Sequence, residues 1–328
     1  MSLPVLTHHD LPLPSSGVTV HYTLSGVPTS PTILLLHGFP SSSIQFNALS
    51  PLLAGGGKGY RVISPDLPGF GLTTVPSNPS RAGYEHTFEN MAIVIREFID
   101  QLNIEEFMVY GFDYGMPTAF RLALLLEQEQ EQKRHAEDKD EDERRVPTIR
   151  GIISQNGNAY EEGLSPEFWS PLQSWWKTND RHHAPSRQAL GQFLSDAENL
   201  KSQYFGSGTK TSDRVDRIDP LSYRIDHLLN INGQDHIDIQ LDLFYDYQHN
   251  VALYPSFQRY FRESQVPLLV AWGEDDVAFD PKGAEAYKKD ANVYKGKAHL
   301  LDGPHFILGT HVQEVAELIG NFLNDIAF

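Results

Sequence analysis

Residues 106–120 read EFMVYGFDYGMPTAF. An apolar run, EFMVYG, ends in Gly111-Phe112-Asp113-Tyr114-Gly115, and a helix-forming stretch follows. Two glycines around one central side chain mark a sharp strand-to-helix turn, in which backbones approach too closely for a Cβ. Asp113 is thereby presented at the C-terminal end of a strand. The helix behind it offers free N–H groups and positive potential. Taken alone, Asp113 is better read as a helix N-cap, a position that Asp fills readily. What surrounds it decides between the two.

Similar apolar runs recur along the chain: TILLLHG (32–38), YRVISPD (60–66), IRGIIS (149–154) and VPLLVAWG (266–273). Such unbroken runs suit parallel strands covered on both faces. VTVHYTLSG (18–26) alternates and ends in a turn signal, so it reads as a further strand. Helical patterns lie between them. In FENMAIVIREFIDQL (88–102), Met91, Ile95, Phe98 and Leu102 share one face, and Val312, Val315, Ile319, Leu323 and Ile326 do so near the end of the chain. Strands alternating with helices predict an α/β fold, a mostly parallel sheet flanked by helices. Sites in such sheets lie beyond the C-terminal ends of the strands.

Two regions break the alternation. Residues 127–145 (EQEQEQKRHAEDKDEDERR) carry nine acids against five bases and read as a charged surface insert, a solvated extension of the preceding helix or a polar loop. Residues 156–250 are too long for a simple crossover and rich in aromatics. They are expected to form an inserted, mainly helical cap or lid domain, with residues 1–155 and 251–328 forming the core domain. IDIQLDLFYDY (237–247) fits neither the helical nor the strand period cleanly.

Composition narrows the function. The chain has 328 residues, 40 % of them hydrophobic, enough to bury a sizeable core. With 26 basic and 43 acidic residues its formal charge is −17, which argues against binding nucleic acid or docking on an anionic membrane. There is no cysteine, which removes disulfides, thiolate metal sites and cysteine nucleophiles. No stretch approaches the roughly 20 apolar residues of a membrane span. The first residues, MSLPVLTHHDLPLP, lack the basic start and apolar run of a signal peptide, so a cytoplasmic location is expected.

Three more segments end at the same edge of the predicted sheet. His37-Gly38-Phe39-Pro40 follows TILLL, and a turn there can aim the Phe39 N–H at Asp113. An X–Pro bond such as Phe39–Pro40 accepts the cis form at little cost. Gly273-Glu274-Asp275-Asp276 closes VPLLVAWG, and Gly303-Pro304-His305-Phe306 precedes the last helix. Asp113, an acid at 275 or 276, and His305 follow in the order nucleophile, acid, histidine. His37 reads as a structural hydrogen-bonding residue beside the turn.

With these motifs the chain resembles the α/β-hydrolase superfamily, in the branch of epoxide hydrolases and haloalkane or haloacetate dehalogenases. The resemblance rests on HGFP (37–40), SPDLPGFG (64–71), GFDYG (111–115), GEDD (273–276) and GPHF (303–306). It implies the α/β-hydrolase fold with a cap inserted after a late strand. It implies Asp113 as nucleophile, His305 as base and Asp276, in preference to Asp275, as the acid that orients the imidazole. Some relatives take that acid from the strand before the cap, but SQNGNAY (154–160) offers none. The backbone N–H groups of Phe39 and Tyr114 are the implied oxyanion hole.

Aspartate suits this chemistry. An ordinary Asp carboxyl, with a pKa of about 3.9, is ionised at neutral pH. It can attack an sp³ carbon and form an alkyl ester, which water then cleaves with His305 as base. A Ser would serve an ester hydrolase; an Asp there would have to form an anhydride. The expected substrates are thus a small apolar epoxide, opened to a vicinal diol, and water. No metal or organic cofactor is called for. A haloalkane or haloacid is the alternative substrate, and a non-catalytic binding protein of the same fold is a further one.

The leaving group must be met by donors in the cap. The resemblance points to Tyr247, in DYQHN (246–250), for this task, with an amphipathic core tyrosine as the plain alternative. Epoxide hydrolases usually carry an earlier cap tyrosine as well. Here SWWKTND (174–180) places Trp175 and Trp176 in that region, and Trp175 is the candidate indole donor. Tyr160, Tyr204 and Tyr223 remain open as replacements for the missing tyrosine. Asn after His-Gly and Trp after Asp, the haloalkane signature, are both absent.

Overall fold

The strand-forming runs assemble into one mixed sheet. The computed structural model of the protein describes residues 3–76, 84–135, 145–206 and 216–328. Among these residues the strands are β1 (Leu6–Pro12), β2 (Thr19–Ser25), β3 (Thr32–Leu36), β4 (Arg61–Pro65), β5 (Glu106–Phe112), β6 (Thr148–Gln155), β7 (Pro267–Gly273), β8 (Asn292–Val293) and β9 (His299–Leu301). Their order is β1-β2-β4-β3-β5-β6-β7-β8, with β9 also paired to β7. The β1–β2 and β2–β4 pairs are antiparallel and all others parallel. Sequence patterning passes over β1 because its polar residues (LTHHDLP) lie half exposed at the sheet edge. It passes over β8 and β9 because they are too short to show a period.

The α-helices are α1 (Leu49–Gly55), α2 (Phe88–Gln101), α3 (Gly115–His135), α4 (Pro166–Trp176), α5 (Ala184–Ser195), α6 (Ala197–Phe205), α7 (Ser222–Asn230), α8 (Gln234–Ser264), α9 (Pro281–Ala286) and α10 (Leu308–Asp325). β3 shows why both faces of the sheet need covering. Its Ile33 and Leu35 join one core with Phe322 and Leu323 of α10, and its Leu34 and Leu36 join the other with Phe98 of α2. α2 starts where the Thr87 side chain accepts a hydrogen bond from the Asn90 N–H at 3.1 Å. α3 is buried over its first turns and polar at its end. Residues 127–135 of the charged segment are the polar end of that helix, half-buried at Glu127, Glu129 and Gln130 and exposed beyond; residues 136–144 lie outside those described.

Between β6 and β7 the described chain is almost wholly helical, α4 to α8. Residues 237–247, ambiguous in sequence, belong to α8, which runs unbroken to Ser264 through Pro255. The boundary expected at 250/251 falls inside this helix. The mixed period has a physical cause: α8 changes partners along its length. It packs against α4 and α5 of the insertion and against α2 and α3 of the core. Asn250, at the expected boundary, is buried and accepts a hydrogen bond from Arg121 Nε of α3 at 2.9 Å. No helix among the described residues is long and apolar enough to cross a membrane.

The insertion is tied to the core through polar groups as well as apolar ones. Asn230 Nδ2 donates to Pro40 O at 2.7 Å, while Asn230 Oδ1 accepts from the Gly71 N–H at 2.6 Å. Asp246 Oδ2 of α8 accepts the buried Phe88 N–H, the first of α2, at 2.8 Å. Helix N-termini carry such orphan donors, and one left unpaired in the interior costs about 1–3 kcal/mol. Asp246→Ala is accordingly expected to lower the unfolding free energy by about 1–3 kcal/mol. The check is a urea titration: the midpoint should fall with the slope unchanged. An unmoved midpoint would show that this bond does not hold α8 to α2.

Candidate active site

Asp113 lies at the turn from β5 to α3 with φ at +48°, in the left-handed region that non-glycine residues seldom occupy. Close approach of three glycines makes the turn possible. A Cβ on Gly115 would lie 2.1 Å from Leu36 O, and one on Gly111 would lie 2.8 Å from Met116 Cα. A Cβ on Gly38 would meet Asp113 Oδ1 at 2.5 Å. The carboxylate is thus wedged against the end of β3. There the Phe39 N–H donates to Oδ1 at 2.6 Å, in a turn whose Phe39–Pro40 peptide is cis.

The segment after β3 is braced from behind. His37 Nε2 accepts from the Leu67 N–H at 2.8 Å, so Nδ1 carries the proton and faces Gly38 O at 3.2 Å. Burial drives the His37 pKa down to about 4, against the pull of Asp66, and keeps the ring neutral. Asp66 in turn accepts the Ser43 and Leu72 N–H groups at 2.7 and 2.8 Å, fixing the SPDLPGFG turn.

His305, Asp276 and Asp113 come together. His305 Nδ1 is 2.7 Å from Asp276 Oδ2, and its Nε2 is 3.7 Å from Asp113 Oδ2. Asp276, rather than Asp275, is the acid at the imidazole. It is held by the turn after β7: its Oδ1 accepts the Ala278 and Phe279 N–H groups at 2.7 and 3.0 Å. A further donor comes from outside the sequence motifs. Asn156 Nδ2, just past β6, donates to Asp276 Oδ2 at 2.6 Å. Asn156 is itself fixed, its Oδ1 accepting from Gly273 N at 3.2 Å and Gln155 Nε2 at 2.7 Å. SQNGNAY, which lacks an acid, thus carries the acid's hydrogen-bond partner instead.

Burial sets the charges. It lifts the Asp113 carboxyl to about 7, although His305 and the Phe39 and Tyr114 N–H groups favour its ionised form. Asp113 is therefore not the ordinary carboxylate, fully ionised at neutral pH, that the sequence implies. Burial also opposes the charged form of His305, but Asp276, and then Asp113, outweigh it and hold the imidazole above its usual pKa.

Aromatic rings close over Asp113. Tyr114 packs on Phe88 at 4.8 Å, Phe39 at 5.8 Å and Tyr247 at 5.9 Å between ring centroids. Tyr247, on α8, also meets Trp169 at 4.4 Å. Trp175 does not reach this cage. Its indole N–H is spent on Asp180 O at 2.9 Å and its ring packs on Tyr245, so it cannot meet a leaving group. The Trp169 and Trp176 donors are likewise taken, by Ala278 O at 2.8 Å and Phe244 O at 3.0 Å. Among the tyrosines left open, Tyr160 donates to Asp290 Oδ2 at 3.1 Å and Tyr204 to Asp226. Tyr223 packs with Phe205 and Tyr204, among α6 and α7 residues. Asp226 is a second buried carboxyl raised by burial to about 7, with the Tyr204 and Ser41 hydroxyls pulling the other way. Among the described residues no group of three or more His, Asp or Glu is placed to hold a metal ion.

Comparison with known proteins agrees with this architecture. Residues 31–312 match the family described as the alpha/beta hydrolase fold. Over 304 residues the chain is 42 % identical to the uncharacterized hydrolase YNR064C of Saccharomyces cerevisiae, covering 92 % of each protein. It is 36 % identical to the epoxide hydrolase srdG of Neurospora crassa, covering 98 % of this chain and 96 % of that one. A solved structure of the epoxide hydrolase CorEH shares the fold at a TM-score of 0.66 and 17 % identity, over 98 % of this chain and 100 % of that one. The chain belongs to the α/β-hydrolase family and is a hydrolase.

Proposed function

We propose that the protein opens a small apolar epoxide to a vicinal diol through a covalent ester on Asp113. The observation that carries this is the division of labour between the two oxygens of Asp113. Oδ1 is held by the Phe39 N–H, and Oδ2 is turned toward His305. The similarity to an enzyme named epoxide hydrolase supports the choice of leaving group. Helices α4 to α7 and the first half of α8 serve, in this reading, as the cap over the aromatic cage.

The steps follow from the geometry. Asp113 Oδ2 attacks one epoxide carbon; the C–O bond to the ring oxygen breaks, and that oxygen takes a proton from a hydroxyl donor, Tyr247. The product is an alkyl ester whose carbonyl oxygen, Oδ1, already lies in the oxyanion hole. Ester formation removes the negative charge of Asp113. That charge is one of the influences holding the His305 pKa up, so its loss leaves the imidazole readier to act as a base. His305 Nε2 then takes a proton from water as the water oxygen attacks Cγ. The negative charge collects on Oδ1, against the Phe39 and Tyr114 N–H groups. On collapse the Cγ–Oδ2 bond breaks, the remaining proton of the attacking water passes to the departing alkoxide, and the diol leaves with the carboxylate restored; the proton on His305 returns through solvent to the Tyr247 phenolate. Asp276 keeps the imidazole oriented and balances its charge.

Trapping the ester tests the mechanism. His305→Gln should form the ester and hydrolyse it slowly. Incubated with styrene oxide, it should gain the mass of the whole epoxide, and Asp113→Ala should not. A butyl adduct from 1-bromobutane, with none from styrene oxide, would move the protein to the dehalogenases. No adduct with either would leave the fold standing, rule against both substrate classes as probed, and favour the non-catalytic binding protein.

The pH dependence follows from the raised Asp113 pKa. Only the ionised carboxylate attacks, so single-turnover alkylation should fall about tenfold per pH unit below about 7 and level off above it. In His305→Gln a neighbour that favours ionisation is lost, and the limb should move to higher pH. A rate independent of pH from about 5 to 8 would contradict this.

A further inference from the structure

We propose that the Tyr114 side chain is the second hydroxyl that receives the leaving oxygen, paired with Tyr247 across the site. This rests on the proposed function and adds a catalytic residue to it. The backbone N–H of Tyr114 serves Asp113 in the oxyanion hole; the phenol of the same residue is a separate group with a separate task.

Unspent donors point to it. The Tyr114 and Tyr247 hydroxyls are both buried, and neither makes a hydrogen bond of ordinary geometry. Buried hydroxyls are nearly always paired, so the unpartnered Tyr114 hydroxyl, on a ring 5.9 Å from that of Tyr247, indicates a ligand that pairs it. Other buried tyrosines nearby are satisfied. Tyr287 donates to Gly157 O at 2.7 Å, and Tyr254 accepts from Asn158 Nδ2 at 3.2 Å. The Tyr254 hydroxyl lies within reach of the Tyr247 hydroxyl and interacts with it, outside regular hydrogen-bond geometry, so Tyr114 is the one whose hydroxyl has no protein partner among the described residues. Packing does not explain the Tyr114 hydroxyl either. Its ring sits among Phe39, Phe70 and Phe88, a cage in which a phenylalanine would fit as well.

The two hydroxyls share one electrostatic environment. The charge of Asp113 acts on both, and Tyr247 also feels Tyr114. Burial raises both phenols well above their usual pKa, so they stay protonated as donors at neutral pH. As Asp113 attacks, its negative charge passes to the epoxide oxygen. Two O–H groups can meet that oxygen: one gives up its proton and the other stabilises the resulting phenolate by a hydrogen bond. The proton that His305 takes from water in the second step returns to the phenolate through solvent, closing the balance. One donor rides on the rigid elbow and the other on α8, so the pair spans the core and the insertion.

Tyr114→Phe separates the two tasks, since it keeps the N–H and removes only the phenol oxygen. In single turnovers with styrene oxide, ester formation should slow about 10- to 100-fold, the range for losing one hydrogen bond to a developing charge. Hydrolysis of the ester once formed should stay within about twofold of wild type, and the thermal midpoint should not drop. Tyr114→Phe combined with Tyr247→Phe should abolish ester formation. Ester formation at the wild-type rate in Tyr114→Phe would overturn the assignment alone, as would an equal loss in both steps. No ester in the wild type would overturn the proposed function and this assignment with it.

Discussion

The close approach of the end of β3 to the start of α3 is the constraint on which the site depends. Gly38 and Gly115 leave no room for a Cβ, and that contact brings the Phe39 N–H to 2.6 Å from the Asp113 carboxylate. Placing a carboxylate in so dry a position is costly unless donors and positive charge surround it. Two backbone N–H groups, the N-terminus of α3 and His305 supply them, and they fall short of full compensation. A carboxyl poised near pH 7 is the result. Such a group is less hydrated than an ordinary surface aspartate, and so less shielded from a carbon brought against it.

Asp276 is treated differently by the same fold. Four donors face its two oxygens: two backbone N–H groups, Asn156 and His305. Asn156 is itself held in place by the Gly273 N–H and Gln155. A carboxylate so fully engaged is suited to orienting an imidazole and poorly suited to attack. In the proposed mechanism the two acids thus take different parts because of their surroundings rather than their identity. The insertion adds the roof. It reaches the Phe39–Pro40 turn through Asn230 and the His305 loop through Gln203 O, which accepts the Phe306 N–H at 3.0 Å. Movement of α6 or α7 would therefore be felt at both ends of the site.

The core of the fold is legible in the sequence because β3 to β7 are buried on both faces and bounded by turn residues, which leaves a strong local signal. The strand-to-helix turn at Asp113 is legible because its geometry admits few residues besides glycine at 111 and 115. The rest requires the third dimension. β1 is an exposed polar edge, and α8 hides its period by changing partners midway. Asn156 escapes a reading of the sequence because its role appears only when β6 and β7 lie side by side. Trp175 stands at a plausible place in the sequence, but local turn geometry takes its N–H for Asp180 O. The phenol of Tyr114 is hidden because the motif accounts for that residue by its backbone alone.

A single turnover in water enriched in oxygen-18, with enzyme in excess over styrene oxide, addresses the covalent step most directly. If Asp113 forms the ester and water attacks its Cγ, the first diol released carries no label. The peptide containing Asp113 gains it. If instead water attacks the epoxide directly, the first diol is labelled and the Asp113 peptide is not, and Asp113 is not the nucleophile.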